Sequence, residues 1–386
     1  MRKVLYTLFI IYTVALAGCK PKASVTIPVP TGHDAVTQRQ ATQIQYSQLL
    51  SLTDVEDYTL CRIRDPWRTD QIAKQYLLVP ADDASWTDAK MQEFEASYGP
   101  SIVLRTPLTR VTLTTTCHAW LLSQLDALDH VAVMCDTAYV NAQNVRGWMR
   151  SYRADGKPMI ADGGPSMSPN AEVIMAHGSD ALWISPFQDM SLGQLAQLPV
   201  PIIYCADYLE NSPLARAEWM KFYGRLVDKA EAADAMFEAV ASRYEHLTER
   251  QSKGQSLLAE LPYGATWYVP GGASTSSLLY QDAGYDYPWS DDTHAGSLSL
   301  SREAVLAKAH DCDLWLIKYN DPKGTLTLAS LMSQNPMYAE FKATKTHQVW
   351  ACNTAWSDFF DVTPFRPDTL LQSLMQMDGA FYQLLP

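Results

Sequence analysis

Apolar residues recur at helical spacing through residues 212–254, SPLARAEWMKFYGRLVDKAEAADAMFEAVASRYEHLTERQSKG. Trp219, Phe222, Tyr223, Leu226, Ala230, Ala233, Met236, Phe237, Val240, Tyr244 and Leu247 fall on one i, i+3, i+4, i+7 face. Ser212 followed by Pro213 is a helix start, and Gly254 is a stop. A single helix of that length would run about 60 Å, longer than a domain, so a break is predicted near Val227 and Asp228. The second piece, 229–252, still spans about 36 Å. It reads either as a spine between two lobes or as a long surface helix within one domain.

Strand patterns lie on both sides of it. Residues 58–64 and 75–80 predict a β-hairpin around the turn signal Asp65, Pro66, Trp67. Short strands are predicted at 101–104 and 110–113. From there strand and helix alternate: helix from 114, strand 131–135, helix 172–177, strand 181–184, helix 191–198, strand 200–204. After the spine the alternation returns, with strand 265–269, helix 277–283, helix 301–309, strand 314–317, strand 347–351 and a closing helix 367–382. Glu303 falls in a first turn, where the helix dipole favours an acid. Such alternation means βα units on parallel sheets. The fold class expected is α/β: two lobes with parallel-rich sheets, a single long connecting helix, and a ligand cleft where strand-end loops of both lobes meet.

The first residues change the picture. Met1, Arg2 and Lys3 are a positive start, 4–16 is an apolar run, and Leu16-Ala17-Gly18-Cys19 follows. This resembles a bacterial lipobox, in which Cys19 carries the lipid after cleavage; the plain alternatives are a secretory signal or a single anchor helix. Acyl chains tether a protein rather than span the bilayer. The segment 20–40 is polar and contains proline, as in a flexible stalk. The expected divisions are a signal peptide 1–18, a tether 19–50, an N-terminal lobe 51–228, the connecting helix 229–253 and a C-terminal lobe 254–386.

Composition adds two constraints. Hydrophobic residues are 47% and charged residues 19% of 386, enough for a sizeable core. The net charge of −12 supplies no basic surface for nucleic acid. Cys61, Cys117, Cys135, Cys205, Cys312 and Cys352 form no CxxC, and most lie in apolar runs, so free core thiols are expected over disulfides. No zinc-type spacing, GxSxG, HExxH, Walker A or dinucleotide fingerprint is present.

Particular stretches now carry a resemblance. NAEVIMA at 170–176 with SDALWI at 179–184 is similar to an "n-x-E-x-I-x-x-L-x-P-D-L-V-I" block, except that Ser179 stands where the block has proline. SREAVLA at 301–307 with DLWLI at 313–317 is similar to its counterpart in a second lobe. From residue 111 onward the chain resembles the lipoprotein substrate-binding proteins of ABC importers for ferric siderophores, haem and vitamin B12. The part before it resembles the extended N-terminus of Bacteroidetes-type members.

The resemblance implies capture of a metal chelate, no cofactor of the protein's own and no resident metal. It also implies a two-fold permease with its ATPase as partner, and a lipid-anchored, periplasm-facing place in the bacterial envelope. It makes Glu172 and Glu303 the transporter-docking acids, one per lobe, each set against the plain alternative of a helix-dipole partner; Glu218 is a weaker rival. Ligand-facing positions expected from strand ends and loops are Tyr139, Met167, Ser168, Phe187, Tyr268, Pro270, Gly271, His294 and Trp356. Aromatics suit a flat macrocycle or catecholate, and glycine allows close approach. His294 could ligate a chelated metal or simply be solvated. The competing reading is a chelatase-like or hydrolytic envelope lipoprotein acting on a tetrapyrrole or glycan, with His118 as the residue to watch.

Overall fold

The computed structural model describes residues 44–68, 70–249 and 252–386. Cys19, the signal peptide and most of the expected tether lie outside them. Four strands come first: β1 (Leu50–Val55), β2 (Tyr58–Arg64), β3 (Ile72–Pro80) and β4 (Ile102–Thr106). They form a sheet in that order, with the predicted hairpin as β2 and β3 and with β4 parallel to β3. Helix α1 (Asp88–Tyr98) links β3 to β4 and packs Phe94 onto Val55, Tyr58, Leu60, Leu77 and Val79.

The next five strands are β5 (Val111–Leu113), β6 (Val131–Met134), β7 (Ala161–Asp162), β8 (Ala181–Ile184) and β9 (Ile202–Tyr204). Their order is β7-β6-β5-β8-β9, and every pair is parallel. β5, β6 and β8 are wholly buried, as continuous apolar runs in a parallel sheet should be. Winding outward from β5 in both directions opens a crevice at its carboxyl end. Three helices accompany this sheet: α2 (Thr116–Gln124), α3 (Gln143–Met149) and α4 (Ala171–Ala176). The expected helix 191–198 is a 3-10 turn, Gly193–Gln197.

The amphipathic stretch forms α5 (Pro213–Glu218), α6 (Met220–Leu226) and α7 (Ala230–Thr248). Ser212 caps the first with its side chain, and Asp228, at positive φ, marks the predicted break. α7 has 19 residues, about 28 Å, so the spine is shorter than the 229–253 expected. It buries Ala233, Phe237, Val240, Ala241, Tyr244 and Leu247, the face read from spacing.

The second lobe contains β10 (Gln255–Ala259), β11 (Pro262–Tyr263), β12 (Thr266–Pro270), β13 (Tyr285–Asp286), β14 (Ser297–Ser301), β15 (Leu314–Tyr319), β16 (Val349–Asn353) and β17 (Gln383–Leu384). β13-β10-β15-β16 is parallel, β17 closes it antiparallel, and β11-β12-β14 is a separate antiparallel sheet. Its helices are α8 (Thr275–Asp282), α9 (Arg302–Ala309), α10 (Leu328–Gln334), α11 (Lys342–Lys345), α12 (Phe359–Val362) and α13 (Pro367–Gln376). α13 stops short of the expected 382 because Met377 turns left-handed at φ 48° and Gly379 follows at φ 81°.

Two expectations need correcting here. Residues 44–50, assigned to the tether, are part of the globule: Leu49 and Leu50 are buried, and backbone amides of 45–49 donate to Glu218 and Glu210. The lobes also touch beyond the spine. The backbone amides of Asn141 and Ala142 donate to Asp361 Oδ2 at 2.7 Å each, and the Asn141 amide donates to the carbonyls of Thr354 and Ser357. One hydrophobic core accordingly runs from β5 and α2 through α6 and α7 to β15 and α13. All six described cysteines are free and buried, as their apolar runs predict.

Candidate functional site

A cavity of about 460 Å³ opens between the lobes at the carboxyl ends of the parallel strands. On one side Thr114 to Cys117 form its wall, where β5 turns into α2 at the crevice of the sheet. Thr114 Oγ1 donates to the Trp183 carbonyl at 2.9 Å and ties that turn to β8. Asp136, just past β6 and left-handed at φ 53°, accepts from the Ser166 amide, and both line the cavity beside Tyr139. The opposite wall is α8 with Thr275, Ser276, Leu279 and Tyr280, the end of β15 at Lys318, and Phe359 and Phe360 on α12.

Two cations face this space, each held from behind by a carboxylate. Arg216 on α5 places Nε 3.2 Å from Asp207 Oδ2; among the described residues its two terminal nitrogens carry no hydrogen bond to protein. Asp207 is buried. Burial alone would raise its pKa, but His118, Arg216 and Tyr223 together hold it below the usual carboxylate range. Lys318 pairs with Glu260, whose backbone follows β10. Burial opposes the ammonium, yet Glu260 and the surrounding hydroxyls keep its pKa well above the ordinary lysine value. Both α2 and α8 direct their N-terminal turns at the cavity, and Thr115 leaves its own helix uncapped by bonding His118 Nδ1 at 2.5 Å instead. Donors therefore face inward, Asp207 and Glu260 stand behind them, and among the described residues Asp136 is the one acid at the wall. Tyr139, Tyr280, Phe359, Phe360 and Tyr382 line much of the rest, with proline and leucine side chains between them.

The expected ligand positions separate. Tyr139 lines this cavity; Trp356 lines a second one. Met167, Ser168 and Phe187 are exposed and outside the lining, Met167 and Ser168 just past Ser166. Tyr268 is half-exposed on β12, away from the lining. Pro270 uses its carbonyl to accept from Tyr287, and Gly271 lies so close to the 294–296 backbone that a Cβ would fall 2.3 Å from the His294 carbonyl. Glycine there serves chain packing, not approach of a ligand. His294 points to solvent and pairs with Asp292 at 3.0 Å. His118 is 1% exposed, with Nδ1 on Thr115 and Nε2 3.2 Å from Asp207, so neither nitrogen is free for a metal or a substrate.

Glu172 and Glu303 are exposed in the first turns of α4 and α9, behind the caps Asn170 and Ser301. Glu218, the rival, is fully buried under three backbone amides and cannot dock with anything. Sequence reading missed Arg216 and Lys318. Arg216 was absorbed into the spine, and Lys318 had a signal: it is the first charge after the apolar run LWLI, at a strand's carboxyl end. Among the described residues no group of three His, Cys, Asp or Glu is placed to hold a metal ion, and no helix is long and apolar enough to cross a membrane.

Known proteins bear on this arrangement. An uncharacterized lipoprotein of Methanocaldococcus jannaschii is 25% identical over 401 residues, covering 95% of this chain and 90% of its own. A second uncharacterized lipoprotein of that organism is 23% identical, covering 90% and 88%. At 95% coverage the first of these alignments extends over the segment before residue 111. Among solved structures, an ABC-type Fe3+-hydroxamate transport system protein from Saccharomonospora viridis aligns with TM-score 0.54 at 17% identity, over 73% of this chain and 97% of that one. The periplasmic haem-binding protein HutB of Vibrio cholerae aligns with TM-score 0.53 at 16% identity, over 69% and 98%. These two share the fold. The profile described as "Periplasmic binding protein" matches residues 129–355, more than half of the chain, and the chain therefore belongs to the periplasmic binding protein family.

Proposed function

We propose that this protein is the solute-binding component of an ABC importer and that the interlobe cavity captures an anionic metal chelate, a ferric siderophore or haem. The observation that carries this reading is the pairing of Arg216 with Lys318 across an aromatic-walled space. Helix N-termini and guanidinium groups favour carboxylates and other oxyanions, while Phe360 and Tyr139 offer flat apolar contact. A volume of about 460 Å³ lies within the range of small-molecule pockets. Neighbours of the same fold are described as binding haem or belonging to Fe3+-hydroxamate transport, which supports a metal chelate as ligand, while the two cations favour an anionic one. The amide-rich corrinoid of cobalamin makes less use of two cations. The family and the lipoprotein relatives fit an envelope location, and Cys19 is proposed as the lipid anchor.

Titration of the protein with haemin, ferric hydroxamate and carboxylate siderophores, and cobalamin tests this, with tryptophan emission as readout. Saturable binding of one of the anionic chelates is expected. Arg216→Ala should weaken it by about 10- to 100-fold, the worth of a charged hydrogen bond in a dry site. Binding of cobalamin alone, or no change in the variant, would overturn the assignment.

Docking is a separate matter. Glu172 and Glu303 are proposed to meet arginines on the two-fold permease, one from each lobe. Glu172→Arg and Glu303→Arg should each weaken association with the reconstituted transporter by about tenfold or more, through like-charge repulsion, and leave chelate affinity unchanged. Reduced chelate affinity with normal docking would move these acids to another role.

A further inference from the structure

A second cavity, about 400 Å³, lies behind the wall of the first. Neighbouring residues divide the two spaces. Lys318, Phe359 and Tyr382 face the cleft; Tyr319, Asp358 and Phe381 face the second cavity. Trp356 joins that second set, 60% exposed, its ring laid over Gly324, where a Cβ would fall 2.0 Å from the ring. Gly324 is also left-handed at φ 64°, so the platform and the turn beneath it both require glycine.

The polar groups of this cavity are unequal. Asn141 spends its amide on the carbonyls of Thr354 and Ser357 and its oxygen on Arg146. Asn353 accepts from Asp321 and Ala355 and donates to the Asp321 carbonyl. Asp358 differs. It stands at the start of α12 without capping it, and among the described residues no other residue gives its carboxylate a hydrogen bond or an ion pair. Burial raises its pKa, and Asp361 nearby raises it further. Among the described residues, none that lines the cavity is Lys, Arg or His. A half-buried carboxylate without a counter-charge, beside the faces of Trp356, Tyr319 and Phe381, lacks one thing: a cation whose surface is apolar enough to sit on aromatic rings.

We propose that this second cavity binds an organic ammonium ion, its charge against Asp358 and its alkyl groups on Trp356. The site does not depend on the chelate reading of the cleft.

Calorimetric titration with choline, ethanolamine and 3,3-dimethylbutan-1-ol, the uncharged isostere of choline, is the test. Choline or ethanolamine is expected to bind saturably; which of them binds tells a quaternary from a primary ammonium. The isostere should bind at least about tenfold more weakly. Asp358→Asn should weaken the cation about tenfold or more and leave haemin or siderophore binding in the cleft unchanged. Trp356→Ala, at an exposed ring with less to lose in folding, should do the same. Absence of binding by either cation up to about 10 mM, equal binding of the isostere, or unaltered affinity in both variants would each overturn the proposal.

Discussion

Replacing Asp361 with alanine is expected to cost about 3–5 kcal/mol of stability and to loosen the two lobes. Asp361 is 2% exposed, and its Oδ2 takes both the Asn141 and Ala142 amides at 2.7 Å. Those amides belong to the entry of α3 in the first lobe, whereas Asp361 follows β16 of the second. Alanine would leave two buried N–H groups without an acceptor, and each charged hydrogen bond of this kind is worth about 1.5–3 kcal/mol. Asp361→Asn keeps an acceptor oxygen and should lose less than half as much. Chemical denaturation measures both. Small-angle scattering measures the mechanical side: with the latch intact, the radius of gyration should change little on ligand binding, because α7 has no Pro or Gly kink site and α12 fastens the lobes a second time. A large closure in the wild-type protein, or an alanine variant as stable as wild type, would show that the contact bears no load.

Glu218→Ala is expected to be comparably severe, about 3–5 kcal/mol, for a different reason. Glu218 is fully buried, accepts from the amides of Gln45, Tyr46 and Ser47 at 2.8–2.9 Å, and lies 3.5 Å from the buried Lys221. Glu210 repeats the arrangement with Gln48, Leu49 and the Trp219 indole. Glu218 on α5 and Glu210 just before that helix thus strap the N-terminal stretch onto the body. Removing Glu218 strands three amides and takes one carboxylate from Lys221, which keeps Glu238 at 3.1 Å. Glu218→Gln retains one acceptor and should fall between. Limited proteolysis gives the local readout: cleavage within 44–49 should rise sharply in the alanine variant before global unfolding. Protection equal to wild type would mean that the strap is held elsewhere.

Much of this fold was legible from period and punctuation. Buried parallel strands announce themselves as short apolar runs, and Val131–Met134 and Ala181–Ile184 lie where those runs are. Ser212, Asn170 and Ser301 cap the helices they precede, because a side-chain oxygen beside unsatisfied amides is a local interaction. Other elements were equally local and passed over: Ser297–Ser301 alternates serine and leucine at strand period. The acids Glu172 and Glu303 were also readable, since a first-turn position follows from the cap.

The remainder was decided by tertiary structure. Glu218 and Glu172 look alike in sequence, yet one is sealed under the backbone of 45–47 and the other meets solvent, and only long-range packing separates them. Gly271 looks like a ligand loop and is instead pressed against the chain at 294–296. Trp356 faces the second cavity and Phe360 the first, because α12 begins between them and turns the chain toward the cleft. Arg216 and Lys318 become a pair only when two sheets meet at their carboxyl ends. A sequence fixes what each residue prefers over a span of a few neighbours. Which donors converge on one cavity depends on contacts more than a hundred residues apart, and those exist only once the core has closed.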